Sequence, residues 1–195
     1  PVYAVDNIPP SKTLGEFEPR IYFGEQSPSY SIVGSTEGEA PREFDYPDGS
    51  AQGQQKNTYA GSGGVRIGSF LRQAAYAIKY REVNFLLSDA VGSASRILDH
   101  RQPLERVQRV APWLTLDGNP YPAIVEGKVV WIVDGYTTTA NYPYAQLESL
   151  DDATSDSTTA RATSVSAIRA GKINYVRNSV KATVDAFDGT VRMYA

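Results

Sequence analysis

The chain has 195 residues, 41% of them hydrophobic and 21% charged, with a formal net charge of −3 and no cysteine. That mixture is ordinary for a globular fold and unlike a disordered one, and the slight acidity excludes a general nucleic-acid binder, which needs a basic surface. Without cysteine there is no disulfide framework, thiolate metal site or cysteine nucleophile, although neither side of a bacterial membrane is thereby favoured. The length suffices for one large domain or two small ones. No apolar run approaches the ~20 residues of a membrane-spanning helix. The chain opens on Pro1 without methionine, as an excised or processed piece of something longer would.

Residues 1–19 are Pro-rich and polar and read as an extended lead-in. Ile21-Tyr22-Phe23 and Tyr30-Ser31-Ile32-Val33 read as short strands separated by a turn at Ser27-Pro28. Residues 34–64 read as loop, with FDYPDG at Phe44–Gly49 as turn chemistry. Val65–Tyr80 is the clearest helix: Ile67, Phe70, Leu71, Ala74, Ala75 and Ile78 recur as one apolar stripe. A short helix over Val83–Ala90 follows. A third starts at Pro103, with Glu105 in its first turn and spaced to pair with Arg109. Its inward set is Leu104, Val107, Val110 and Ala111, and Pro112 closes it.

The chain is organised around Val129-Val130-Trp131-Ile132-Val133, a β-branched and aromatic run bounded by Gly127 and Asp134-Gly135. It reads as a strand buried on both faces. Glu126-Gly127 supplies a two-residue turn, setting Val125 opposite Lys128, Ile124 opposite Val129 and Ala123 opposite Val130. After it, an acidic Ser/Thr-rich stretch within 146–170 reads as an exposed loop. Asp188-Gly189 then marks a second hairpin, in which Phe187 faces Thr190, Ala186 faces Val191, Val184 faces Met193 and Asp185 faces Arg192. These elements predict an α+β fold: a mixed or mainly antiparallel sheet built from the two hairpins. The Val65 and Pro103 helices pack on it, in a single domain over 20–195 with exposed loops near 34–60 and 146–170.

Chemistry is sparse. Gly63 and Gly68 have phosphate-loop spacing before a helix, but no lysine follows Gly68, so a helix lead-in is the default. His100 is the only histidine, which excludes multi-histidine metal sites, and no G-x-S-x-G elbow presents a serine to it. Asp45 with Asp48, or Asp117 with Asn119, offers oxygen ligands for calcium without the spacing of a calcium loop, and turn stabilisation explains most such aspartates. No cofactor is implied. Arg96, Arg101, Arg106 and Arg109, near Lys128, form a local basic run suited to an anionic polymer or headgroup, with a solvated helix face as the default. Trp131, Tyr136, Tyr142 and Tyr144 gather near Asp134 and Asn141, and exposed aromatics beside carboxamides suit sugar stacking, though half-buried tyrosines are commoner. The candidate binding set is therefore Asp134, Tyr136, Asn141, Tyr142, Tyr144, Arg96 and Arg106.

Long strings of the chain resemble one family in order: IYFGEQSPSYSIV (Ile21–Val33), GGVRIGSFLRQAAYAI (Gly63–Ile78), ERVQRVAPWLTLDGNPYP (Glu105–Pro122), VVWIVDGYTTTANYPY (Val129–Tyr144) and INYVRNSVKATVDAFDGTV (Ile173–Val191). It is the uncharacterised family of large bacterial multi-pass membrane proteins with a large extracytoplasmic domain. The resemblance implies a fragment from outside the membrane, whose first partner is the missing transmembrane part of the same protein. Envelope glycan or another envelope protein is the further partner to be expected, and the net charge of −3 speaks against nucleic acid. The resemblance supplies no catalytic residue. A non-catalytic interaction or structural module at the cell envelope is thus expected; the alternative is a carbohydrate-binding or glycan-modifying domain using the tyrosines with Asp134.

Overall fold

The computed structural model describes residues 16–34, 40–47, 54–89, 91–149 and 171–195. They group into two compact units, one over Pro28–Asp99 and one combining 16–27 with His100–Ala195. Helices and antiparallel strands coexist in both, so the α+β class holds. Most of the expected lead-in (1–15) and the acidic Ser/Thr stretch (150–170) lie outside the described residues.

The first unit contains β1 (Tyr30–Val33), β2 (Glu43–Pro47), β3 (Gln54–Asn57), β4 (Val65–Arg66), α1 (Phe70–Tyr80), α2 (Asn84–Leu87) and β5 (Arg96–Asp99). Strand β5 runs antiparallel between β1 and β4, with Ile97 opposite both Ile32 and Val65. Strands β2 and β3 pair with each other inside the stretch expected to be loop. Phe44 and Tyr46 alternate with Glu43 and Asp45 in β2, but β3 has no apolar residue, and Phe44 is 70% exposed. The Glu43 carboxylate ties their stem by accepting the N–H of Gly34 at 2.7 Å and of Tyr59 at 3.0 Å.

The expected Val65 helix starts five residues late. Val65 and Arg66 are in β4, and Ile67 donates its N–H to the Ser95 carbonyl at 2.9 Å. Gly68 then passes so close to the Ser93 backbone that a Cβ would lie 2.3 Å from its carbonyl oxygen, far inside contact distance. Only after that crossing do Arg72 and Gln73 bond back to the Ser69 carbonyl and open the helix.

The orientation of α1 is also corrected. Leu71, Ile78 and Phe70 are 81%, 79% and 70% exposed, while Ala77 is buried and Tyr76 and Tyr80 are half-buried. The inner side is aromatic: the Tyr80 ring lies 4.2 Å from Tyr30 and 6.1 Å from Phe85, beside buried Ile67 and Ile97. A tyrosine ring buries as an apolar body while its hydroxyl keeps a polar partner, and Tyr80 donates to Asp99, which Lys79 also pairs. The aliphatic stripe is thus not the buried side of the helix, and the side that is buried is engaged within this unit.

The second unit contains α3 (Pro103–Val110), β6 (Thr115–Leu116), β7 (Tyr121–Val125), β8 (Lys128–Thr139), β9 (Glu148–Ser149), β10 (Lys172–Ile173), β11 (Tyr175–Asp185) and β12 (Val191–Tyr194). In its five-stranded sheet β8 is interior, with β11 on one side and β6 and β7 on the other. The β7–β8 register is the expected one, Val125↔Lys128 through Ala123↔Val130. Glu126 and Gly127 both have positive φ, 51° and 73°, as the primed turn that matches strand twist demands. Strands β9 and β10 pair with each other around the stretch 150–170.

The second hairpin is shifted by two residues from the expected register: Val184 faces Val191, Thr183 faces Arg192 and Ala182 faces Met193. Asp185 and Ala186 have other partners. The Asp185 carboxylate accepts the N–H of Phe187 (2.8 Å) and Asp188 (3.2 Å) and pairs with Lys128 at 2.9 Å. Ala186 donates to the Val129 carbonyl, and its own carbonyl accepts from Tyr22 and Phe23. The N–H groups of those two residues share this one oxygen, without forming the expected strand. A slip of two keeps every side chain on its face, so the core survives the correction.

Helix α3 lies across one side of this sheet. Leu104 and Val107 pack with Val133, Ala182 and Val184, joined by Leu116, Trp131 and Val191. The expected Glu105–Arg109 pair is present at 3.2 Å. Val110, expected inward, is 54% exposed, because six residues at about 100° each place it off the line of Leu104 and Val107.

Candidate functional site

The strand period of two divides β8 into two chemistries. Val129, Trp131, Val133 and Gly135 alternate with Val130, Ile132, Asp134 and Tyr136; Trp131 and Val133 join the α3 core, so the second set occupies the opposite face. Register extends that face across the sheet. Ile132 is in a row with Tyr121, Thr183 and Arg192, and Asp134 is in a row with Lys181 and Tyr194. Tyr121 and Tyr194 are 43% and 53% exposed, and β8 itself is half-buried along this set. The interior strand is therefore covered on one side only, a departure from the expectation of burial on both.

Charges on this face tie strand to strand. Lys181 bonds to Asp134 and lies 6.0 Å above the Tyr121 ring, while Asn178 donates to the same Asp134 oxygen at 3.0 Å. Burial pushes the Asp134 carboxyl up, but the hydrogen bonds from Lys181 and Asn178 outweigh it and hold the group below the usual carboxylate value. The Lys181 ammonium is raised in turn, first by its bond to Asp134. Tyr136 donates its hydroxyl to Asp117 at 2.5 Å, and burial together with that carboxylate pushes the phenol well above its ordinary value. The other Asp117 oxygen accepts the Asn119 N–H at 2.8 Å. This is an Asx turn, the structural reading of the pair considered for calcium. Among the described residues no group of three histidine, aspartate or glutamate side chains converges as metal ligands.

The expected aromatic cluster is divided. Trp131 belongs to the α3 side, where its indole N–H donates to the Phe23 carbonyl at 2.8 Å. Tyr136 and Asp134 share the open face. Tyr142 stacks on Tyr175 at 5.4 Å and 15°, and its backbone is clasped by Asn174, with bonds of 2.9 and 2.7 Å. Tyr175 pairs with Thr139, an odd number of residues from Asp134 and so of opposite parity. Asn141 turns its N–H onto Thr139, and Tyr144 is fully exposed at positive φ.

The basic run is likewise distributed over internal partners. Arg96 Nη1 donates to the carbonyls of Ser62, Gly63 and Gly64 at 2.9 to 3.3 Å. The glycine segment thus turns carbonyl oxygens toward a cation, the reverse of an anion-cradling loop. Arg106 bonds to the Gly189 carbonyl and stacks over Phe23 at 4.5 Å. Arg101 donates to the Tyr22 carbonyl at 2.6 Å, and burial lowers its guanidinium from the ordinary value. His100 meets Glu105 at 2.6 Å. Residues that sequence reasoning missed, Tyr121, Asn178, Lys181, Arg192 and Tyr194, become visible once strand parity is combined with register.

Fold and face together define an α+β chain whose exposed chemistry is an ordered, polar and aromatic sheet surface. The family model described as "Uncharacterised protein family (UPF0182)" matches residues 1–195, and the chain belongs to that family. It is 53% identical over 196 residues to a UPF0182 protein of Kineococcus radiotolerans, covering 100% of this chain and 19% of that protein. To one of Arthrobacter sp. it is 51% identical over 199 residues, covering 100% of this chain and 20% of the relative. To one of Frankia casuarinae it is 51% identical over 193 residues, covering 99% and 18%. The chain thus spans about a fifth of the length of these curated relatives. No solved structure matches it.

Proposed function

We propose that this chain is a non-catalytic module of a longer UPF0182 polypeptide, held outside the cytoplasmic membrane of a bacterium. Its open sheet face serves there as an interaction or structural surface. The observation that carries this reading is the use of the carboxylates on that face: Asp134 ties β8 to β11, Asp117 ties the segment after β6 to β8, and Asp185 closes its hairpin while pairing with the start of β8. Groups so engaged stiffen a surface; a general acid needs a carboxyl raised toward neutrality, and Asp134 and Asp185 are shifted the other way. The extracytoplasmic address rests on the family likeness. An epitope tag inserted within residues 151–170 of the full-length protein tests it. Antibody labels intact cells if the reading holds; labelling only after permeabilisation overturns it.

A second reading, an envelope carbohydrate binder, is favoured by Tyr142, which is 52% exposed with one ring face backed by Tyr175. Such a ring suits stacking on a sugar. Glycan-array binding that weakens on Tyr142→Ala supports it, and an array without signal removes it.

A further inference from the structure

We infer that the outer stripe of α1 docks onto another segment of the same long polypeptide, through an apolar surface that this chain does not contain. The inference rests on the proposal that the chain belongs to a longer protein. Leu71, Ala75 and Ile78 recur at i, i+4 and i+7, all exposed, and Phe70 flanks them. The opposite side of the helix, Tyr76, Ala77 and Tyr80, is already packed in its own unit. The helix thus carries apolar residues on two opposite sides, of which only one is covered within its unit, with Arg72 and Lys79 beside the uncovered stripe. Val83 and Leu87, four residues apart across α2, are 64% and 76% exposed as well. Exposed aliphatic side chains grouped at one helix face in this way suit an interface.

The cations beside the stripe are engaged internally. Arg72 donates to the Arg66 carbonyl at 3.1 Å, and Lys79 bonds to Asp99 while lying 5.0 Å above the Tyr80 ring. What remains to recognise a partner is aliphatic, so the partner surface is aliphatic or aromatic. Length decides its source. This chain spans 18–20% of its relatives, so a parent of their length holds about four-fifths of its residues elsewhere. A tethered partner is favoured over a free one by its effective concentration.

Photocrosslinking in the full-length polypeptide tests this, with p-benzoylphenylalanine replacing Ile78 and, separately, Leu71. The expected product has monomer mass and joins the probe to a peptide from outside the 195 residues, at a yield above that from a probe at exposed Arg177. Products of doubled mass, lipid adducts, or yields equal to the Arg177 control overturn the inference. Maleimide labelling supplies an independent readout: Ile78→Cys reacts on the order of tenfold more slowly than Arg177→Cys if the face is covered, and equal rates overturn it. An immunoblot showing a polypeptide no longer than this chain would instead remove the parent reading itself.

Discussion

Helices α1 and α3 answer the same sequence pattern in opposite ways. In α3 the stripe of Leu104 and Val107 is pressed onto β8 and β11, where Val133 and Val184 are fully buried. In α1 the aliphatic stripe faces outward, and the inner contacts are made by Tyr76, Ala77 and Tyr80. Apolar spacing therefore says that a face will be covered, without saying by what. In α3 the cover is the sheet of its own unit; in α1 a ring of tyrosines and Phe85 supplies the inner core, and the aliphatic side is left over.

That contrast can be broken most sharply with one charge. Val107→Asp, which buries an unpaired carboxylate, is expected to cost more than about 4 kcal/mol and abolish cooperative urea unfolding. Gly68→Ala, at the crossing that delays α1, drives a methyl into the Ser93 backbone and should destabilise by about 1–3 kcal/mol in the same measurement. Asp185→Asn, at the shifted hairpin, should cost about 1–2 kcal/mol at neutral pH. Because the Asp185 and Asp134 carboxyls are lowered on folding, their contribution is full above the unfolded-state value and disappears as pH falls through the folded one. Urea midpoints of the parent and Asp185→Asn should therefore converge in acid. Glu126→Asn, which suits the positive φ at the β7–β8 turn, should stabilise by roughly 0.5–1 kcal/mol. Smallest of all, Leu71→Ser with Ile78→Ser should move the isolated chain by no more than about 0.5 kcal/mol. A large loss there would show that α1 buries its aliphatic side after all.

The two hairpins show how far local signals reach. Glu126-Gly127 specified its register because two residues with positive φ leave the flanking strands one way to pair. Asp188-Gly189 looked equally decisive, yet Asp185 closes a wider loop by capping two backbone N–H groups, and the ladder starts two residues earlier. Parity survived that shift, so the hairpin strands keep their faces, whereas the open face of Asp134 and Tyr136 with its neighbours Lys181 and Tyr194 was not legible, because Val129–Val133 read as buried on both sides. Strand β3 carries no apolar residue, and the buried Ile97-Leu98 of β5 are adjacent rather than alternating, so neither gave a period of two to read; β2 did alternate, Phe44 and Tyr46 with Glu43 and Asp45, but inside a stretch dominated by turn residues.

By itself the sequence determined the α+β class, the interior place of Val129–Val133, the extent of α3 with its Glu105–Arg109 pair, and membership of the family. Each of these follows from neighbours in the chain: strand and helix periods, a proline at a helix start, a turn with positive φ, or long shared strings. The division into two units, the side on which α1 packs, the capture of Arg96 by three carbonyls and the separation of Trp131 from Asp134 were decided only by tertiary structure. Those depend on groups far apart in sequence competing for the same buried surface and hydrogen bonds, and no local pattern records which of them prevails.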